Sequence, residues 1–295
     1  SVRRMRLLLL SLGGAACLAV FALALVYGLS EARLHDVTPG PAFDHPIPTG
    51  AAAIEQGRLV ARTRGCFGCH GQALEGKDFD TQWDWPKRAV APNLAALART
   101  QGPAALEAAI RQGIDARGRS LTAMPSYNFA RLSDEDVAAL ITFLQAAPVV
   151  ESRLPRPALG WQVRWTYLTA KERPIADWVA KVPPLTVDPA AEPVRARGEY
   201  LAMTTCNECH GLDLRGQWQI GPPTPDLAIA AAIPPDEFQR IVRTGIGMGG
   251  RDLGLMRLVA PDRFPSLPDE DIDALHAYLS SLADTPPATP VDWRP

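Results

Sequence analysis

Two C-x-x-C-H motifs, Cys66 to His70 and Cys206 to His210, occupy matching places in two copies of one longer pattern. A repeat of this kind sets the domain plan before any local structure is assigned, because each copy is one supersecondary unit. The first copy reads GRLVARTRGCFGCHGQALEG from residue 57, and the second reads GEYLAMTTCNECHGLDLRG from residue 198, one residue shorter before its first cysteine. Gly71, Leu74 and Gly76 answer to Gly211, Leu214 and Gly216. Farther on, APNL (91–94) answers to TPDL (224–227), and PAALEAAIRQGI (103–114) answers to PDEFQRIVRTGI (235–246). The register carries Met124 onto Met256, and LSDEDVAALITFL (132–144) answers to LPDEDIDALHAYL (267–279). Each copy therefore reads as a small helical domain: a helix entering the cysteine motif, a loop, a middle helix, a methionine-bearing loop and a closing helix. In the closing helix Val137, Leu140, Ile141 and Leu144 recur at i, i+3, i+4 and i+7, which marks a core stripe. The Ser or Pro and three acids ahead of that stripe suit a helix start.

The spacing of C-x-x-C-H lets two thiols form thioether bonds to the two vinyl groups of a haem while the next residue, histidine, reaches the iron. Cys66, Cys69 and His70, and again Cys206, Cys209 and His210, are thus expected to hold two covalently bound haem c groups. A zinc site would want four ligands, and neither copy offers a third cysteine or a second histidine placed like a ligand. A thioredoxin-like redox pair would need a β-α-β setting, which the pattern around the motifs lacks. The remaining cysteine, Cys17, lies in an apolar run near the amino end and leaves no disulfide to form within the chain.

That run, Leu7 to Leu29, has 23 positions without a charge and follows Arg3, Arg4 and Arg6. At about 1.5 Å per residue it reaches about 35 Å, enough for a hydrocarbon core of roughly 30 Å. A cleaved signal peptide has a shorter apolar region of roughly 7–15 residues and a small-x-small site, which is not evident here. A lipoprotein signal cut before Cys17 is disfavoured by Gly14 and by the twelve apolar residues that follow the cysteine. The run is read as an uncleaved transmembrane anchor. Three arginines before it and only Arg33 shortly after it place the amino end in the cytoplasm by the positive-inside rule. The haem domains then lie in the periplasm of a bacterium, on the outer face of the inner membrane.

The fold class expected is all-α: two tandem haem domains after one N-terminal transmembrane helix. The parse is an anchor over 1–35, a linker over 36–52, domain 1 over 53–147, a connection over 148–192, domain 2 over 193–284 and a tail over 285–295. The connection holds seven prolines together with Trp161, Trp165 and Trp178, whose rings are expected to pack on the globular domains. A formal charge of −2 over 295 residues excludes a polybasic nucleic-acid binder, and 47% hydrophobic residues exclude disorder throughout. The charge is unevenly shared. Domain 1 has 11 basic and 10 acidic side chains, whereas domain 2 has 8 and 13, a balance of −5 that would suit a basic soluble redox partner.

Each repeat resembles a class I c-type cytochrome domain. The resemblance implies that His70 and His210 are proximal ligands and that Met124 and Met256 are distal ones. Met124 lies in AMP, the setting the family favours. Met256 lies in LMR, without the following proline, and Met248 in GIGMGG is the alternative; Met203 should lie on the entering helix, away from the distal face. The carbonyls of Pro92 and Pro225 would accept from the proximal imidazoles; the alternative is that these prolines only shape a loop. His35, His45 and His276 read as surface or packing residues, and Trp83 and Trp85 either as cover for a haem edge or as plain packing. The segments WQVRWTYL (161–168) and RGEYLAMTTCNECH (197–210) look like those of the multihaem cytochrome subunits of membrane-bound alcohol and sugar dehydrogenases. Those subunits usually carry three haems, where this chain has two and an N-terminal helix. The function implied is electron transfer, not catalysis, in a respiratory chain. Donors would be a quinol-oxidising complex or periplasmic dehydrogenase, and acceptors a terminal oxidase or soluble cytochrome. The alternative is a dihaem enzyme such as a cytochrome c peroxidase, which would need one iron with an open or displaceable distal position.

Overall fold

The structure is a computed structural model that describes residues 2–79, 87–217 and 223–285. Trp83, Trp85 and nearly all of the tail lie outside the described residues. The chain opens with α1 (Val2–His35), a helix long and apolar enough to cross a membrane, with its apolar run exposed along its length. The first haem-motif region follows as α2 (Ala51–Thr63), α3 (Cys66–His70), α4 (Leu94–Thr100), α5 (Pro103–Glu107) with a π-type turn at Ala108–Gln112, and α6 (Asp134–Ala146). The connection contributes α7 (Trp161–Leu168) and α8 (Ile175–Val179). The second region is built from α9 (Pro193–Leu201), α10 (Asn207–His210), α11 (Pro235–Thr244), α12 (Leu255–Arg263) and α13 (Asp269–Ser281). The strands among the described residues are two-residue pairings, Lys77–Asp78 with Val90–Ala91 and Lys87–Arg88 with Ala158–Leu159, beside two isolated bridges.

The entering and closing helices of each copy cross at a glycine, and the crossing is the same in both. A Cβ on Gly57 would lie 2.0 Å from the Ala139 carbonyl oxygen and 2.7 Å from Cβ of Phe143. On Gly198 it would lie 2.0 Å from the Ala274 oxygen and 2.7 Å from Cβ of Tyr278. The stripe of Val137, Leu140, Ile141 and Leu144 is buried here, as its spacing requires. Ser133 caps α6, its hydroxyl accepting from the Asp136 N–H at 3.2 Å, with Asp134, Glu135 and Asp136 in the first turn.

The one-residue difference before the first cysteine has a local explanation. In copy one α2 ends, and Gly65 at φ 77° turns the chain into α3. In copy two Ala202–Cys206 form a π-type turn that widens the helix and runs directly into α10. A wide turn in one copy does what a left-handed glycine does in the other.

The connection packs as its aromatics predicted at one of three tryptophans. Trp178 is buried with Val182 and Leu212, against Tyr127 and Ala130, and so touches both copies. Trp161 and Trp165 instead remain 53% and 51% exposed.

Candidate haem sites

The first C-x-x-C-H motif forms a single helical turn, α3, and the second spans the end of the π-type turn, at Cys206, and α10; in each the two cysteines are three positions apart in helical backbone and the histidine follows directly. The His70 Nδ1–H donates to the Pro92 carbonyl at 2.9 Å, and the His210 Nδ1–H donates to the Pro225 carbonyl at 3.0 Å. A carbonyl only accepts, so the proton must sit on Nδ1 and Nε2 keeps its lone pair free for a metal. Burial pushes the pKa of both rings below the ordinary histidine range, with the proline carbonyls opposing the shift, so both are neutral, the form that ligates iron.

The loop after each histidine holds that carbonyl in place. Gly76 N–H donates to the His70 carbonyl at 2.7 Å and Gly216 N–H to the His210 carbonyl at 2.8 Å. Leu74 and Leu214 adopt the left-handed conformation, at φ 61° and 60°, and both are buried. For a non-glycine residue this costs about 1–2 kcal/mol. The conformation presents the leucine carbonyls to the N–H groups of Leu94 and Leu227, at 2.9 Å in each copy. Those two residues lie two positions after Pro92 and Pro225. The strained leucine thus ties the histidine loop to the segment that carries the accepting carbonyl.

The four cysteines are unpaired thiols. Burial pushes Cys66 and Cys206 up to about 12. Among the described residues no group of three or more His, Cys, Asp or Glu side chains is arranged to hold a metal ion. Two unpaired thiols and a neutral, oriented imidazole in each copy fit a covalently attached haem.

The methionines separate by environment. Met203 is buried in the core of the second copy, on the π-type turn before Cys206. Met248 is half exposed on its glycine-rich turn. Met124 and Met256 are partly buried against the cores of their own copies. The backbone also repeats here. Gly113 and Gly245, at φ 68° and 64°, end their helices, and the isolated bridges Ile114 to Ser120 and Ile246 to Asp252 follow at the same spacing. That register puts Met256 where copy one has Met124. Met256, however, opens α12 and does not lie in a loop. Copy one has Pro125 after its methionine, which disfavours helical backbone at Met124, and makes only a short 3-10 turn at Ser126–Asn128, whereas Met256 is followed by Arg257 and lies in the first turn of α12.

The two motifs meet at the junction between the copies, which comparison of the repeats did not reveal. The Arg263 guanidinium lies over Gly65, so close that a Cβ there would fall 2.3 Å from it, and Nη1 donates to the Glu208 carboxylate at 2.6 Å. The charges of this pair act on the thiols of Cys66 and Cys69 on one side and Cys209 on the other. Glu208 stands where copy one has Gly68, so the repeat gives this pair no acidic counterpart in copy one, and Arg263 ends α12. Tyr200 adds a second tie. Its ring packs against both cores, its hydroxyl donates to Asp136, and Arg64 lies over it at 5.7 Å from the centroid. Asn207 Nδ2 donates to the Asn128 carbonyl at 3.1 Å, and Arg62 pairs with Asp262 at 3.0 Å. His276 packs as expected, its Nε2–H donating to the Ala230 and Ile233 carbonyls at 3.1 and 2.9 Å.

Comparison with known proteins agrees with this geometry. The family described as cytochrome c matches residues 54–148 and 195–283, together more than half of the chain. The cytochrome c subunit of the quinone-dependent alcohol dehydrogenase of Gluconobacter oxydans (strain 621H) is 31% identical over 56% of this chain and 36% of its own length. The fructose dehydrogenase cytochrome subunit of Gluconobacter japonicus is 26% identical over 86% of this chain and 56% of its own. A nicotinate dehydrogenase subunit of Pseudomonas putida is 29% identical over 92% of this chain and 25% of its own. The chain spans from a quarter to just over half the length of these relatives. With its motifs, their neutral histidines and these matches, the chain belongs to the cytochrome c family.

Proposed function

We propose that the chain is a membrane-anchored dihaem electron carrier, with haem attached at Cys66 and Cys69 and at Cys206 and Cys209. The observation that carries this reading is the placement of both motifs against the one Arg263–Glu208 pair, which brings the two candidate attachment motifs to a single junction. Bound haem iron supplies one-electron exchange. The chain's own residues set the conditions for it. His70 and His210 are the proximal ligands, oriented by Pro92 and Pro225, and Met124 and Met256 are the distal ones, whose neutral thioethers favour the ferrous state. The two haem domains span residues 53–147 and 193–284.

The donor we favour is a dehydrogenase, because relatives covering most of this chain are named as dehydrogenase subunits. A quinol-oxidising complex fills the same place, and the acceptor is a terminal oxidase or a basic soluble cytochrome that meets the acidic second domain. The anchor α1 puts the module on the periplasmic face of a bacterial inner membrane, in keeping with the arginines that precede its apolar run.

Ligand-binding spectroscopy tests the distal assignment. The resting protein should bind neither cyanide nor peroxide at either iron, whereas Met124→Ala and Met256→Ala should each open one site to cyanide and lose the absorption of methionine-ligated ferric haem at that site. Cyanide or peroxide binding by the unaltered resting protein would instead favour the peroxidase alternative. Retention of the methionine signature in Met256→Ala, with its loss in Met248→Ala, would move the second ligand to Met248.

A further inference from the structure

The foot of α1 is gripped by the haem module, so it is no loose tether. Ser30 and Leu34 are fully buried. Glu31 accepts from Arg119 at 2.6 Å and from Arg164 at 3.0 Å, Arg33 pairs with Asp177, and Ser120 N–H donates to the Leu34 carbonyl at 2.8 Å. Helix α7 lies along this foot, with Val163 and Tyr167 packed on Leu34 and with Arg164 reaching Ser30 and the Tyr27 ring, the latter at 4.5 Å from its centroid.

Those contacts fix the height of α7. The apolar run of α1 ends at Leu29, and Arg164 touches the turn on either side of that point, residues 27 to 31. At about 1.5 Å per residue, α7 sits within a few ångströms of the level where the hydrocarbon core gives way to headgroups. The face of α7 turned away from α1's foot carries Trp161 and Trp165, one turn apart and each about half exposed. Two large aromatic rings on one exposed turn are costly in water. At a bilayer interface they are favourable, because an indole has an apolar body and an N–H that can meet headgroup oxygens.

We infer that α7 is an interfacial collar, with Trp161 and Trp165 seated in the headgroup region of the bilayer that α1 crosses. The inference rests on the anchor reading of α1 and adds the surface by which the module lies on the membrane. Held at both α1 and α7, domain 1 stays beside the bilayer, because its Arg119 and Ser120 grip the same foot.

Photolabelling of the full haem-loaded chain in lipid nanodiscs tests this. The probe is a phosphatidylcholine with a diazirine close to its glycerol backbone, and adducts are mapped by peptide mass spectrometry. The expected result is adducts within residues 7–29 and on the peptide with Trp161 and Trp165, with none on the exposed Glu55 and Arg58 of α2, and loss of the α7 adducts in the W161Q/W165Q double variant. Adducts on α1 with none on α7 would overturn the collar while leaving the anchor standing. Shielding of α7 by a co-purified protein would give the face to a protein partner and would overturn it too. No adducts on either helix would remove the anchor reading, and the collar with it.

Discussion

Gly57→Leu and Gly198→Leu should each leave the protein without the corresponding folded haem domain. At both positions the first atom of any side chain meets a carbonyl oxygen at 2.0 Å, and the neighbour behind it is a Cβ on the same backbone, which no rotamer change can move. The helices would have to part, and with them the contact that buries Val137 and Ile141 in one copy and Ile272 and Leu275 in the other. Overpacking in a tight core costs typically about 1–3 kcal/mol and sometimes more. A backbone collision belongs at the upper end, so even Gly57→Ala should cost about 3 kcal/mol, a large part of the roughly 5–15 kcal/mol that holds a domain folded. Denaturant unfolding followed by far-ultraviolet dichroism and haem absorption reads the effect. An unchanged midpoint in Gly57→Ala would mean that the helices cross more loosely than a 2.0 Å approach implies.

Arg263→Met should lower the reduction potential of both haems and destabilise the junction. The guanidinium is 13% exposed and its partner Glu208 31% exposed. Loss of the cation leaves a carboxylate between the motifs, where a positive charge had disfavoured ferric iron on either side. Breaking a fully buried pair costs about 3–5 kcal/mol, and partial exposure reduces this to about 2 kcal/mol. Glu208→Gln should raise both potentials. The double variant R263M/E208Q should regain stability, because no lone charge remains, and the cycle isolates the coupling of the two residues. Spectroelectrochemical titration decides the matter. A shift at one haem only would show that the pair belongs to a single site and is not shared.

Much of this site is legible in the amino-acid sequence. Cysteine spacing marks the candidate attachment points, and the repeat marks the helices and the buried stripe, because each rests on local pattern carried through a backbone path that the chain uses twice; the proline carbonyls follow from the resemblance to class I c-type cytochromes. Leu74 and Leu214 match in sequence, yet their left-handed conformation has no signal there, since leucine rarely adopts it. The junction is out of reach for a different reason. Arg263 and Glu208 are 55 positions apart, and their contact depends on how the two copies dock, which a repeat does not encode. The place of Met256 at the start of a helix reflects the missing proline, a departure visible in the sequence whose structural result is α12. Trp161 and Trp165 were expected to pack on the globular domains, and their exposure points to a surface that composition alone does not reveal.

On the proposed reading one chain carries two covalent haems, one on each motif. Intact-mass spectrometry of the purified full chain, followed by peptide mapping, measures this directly. The expected result is a mass increment of two haems, with one on the peptide containing Cys66 and Cys69 and one on that containing Cys206 and Cys209. A single haem per chain, or a motif recovered with free thiols from an otherwise haem-loaded protein, would contradict it.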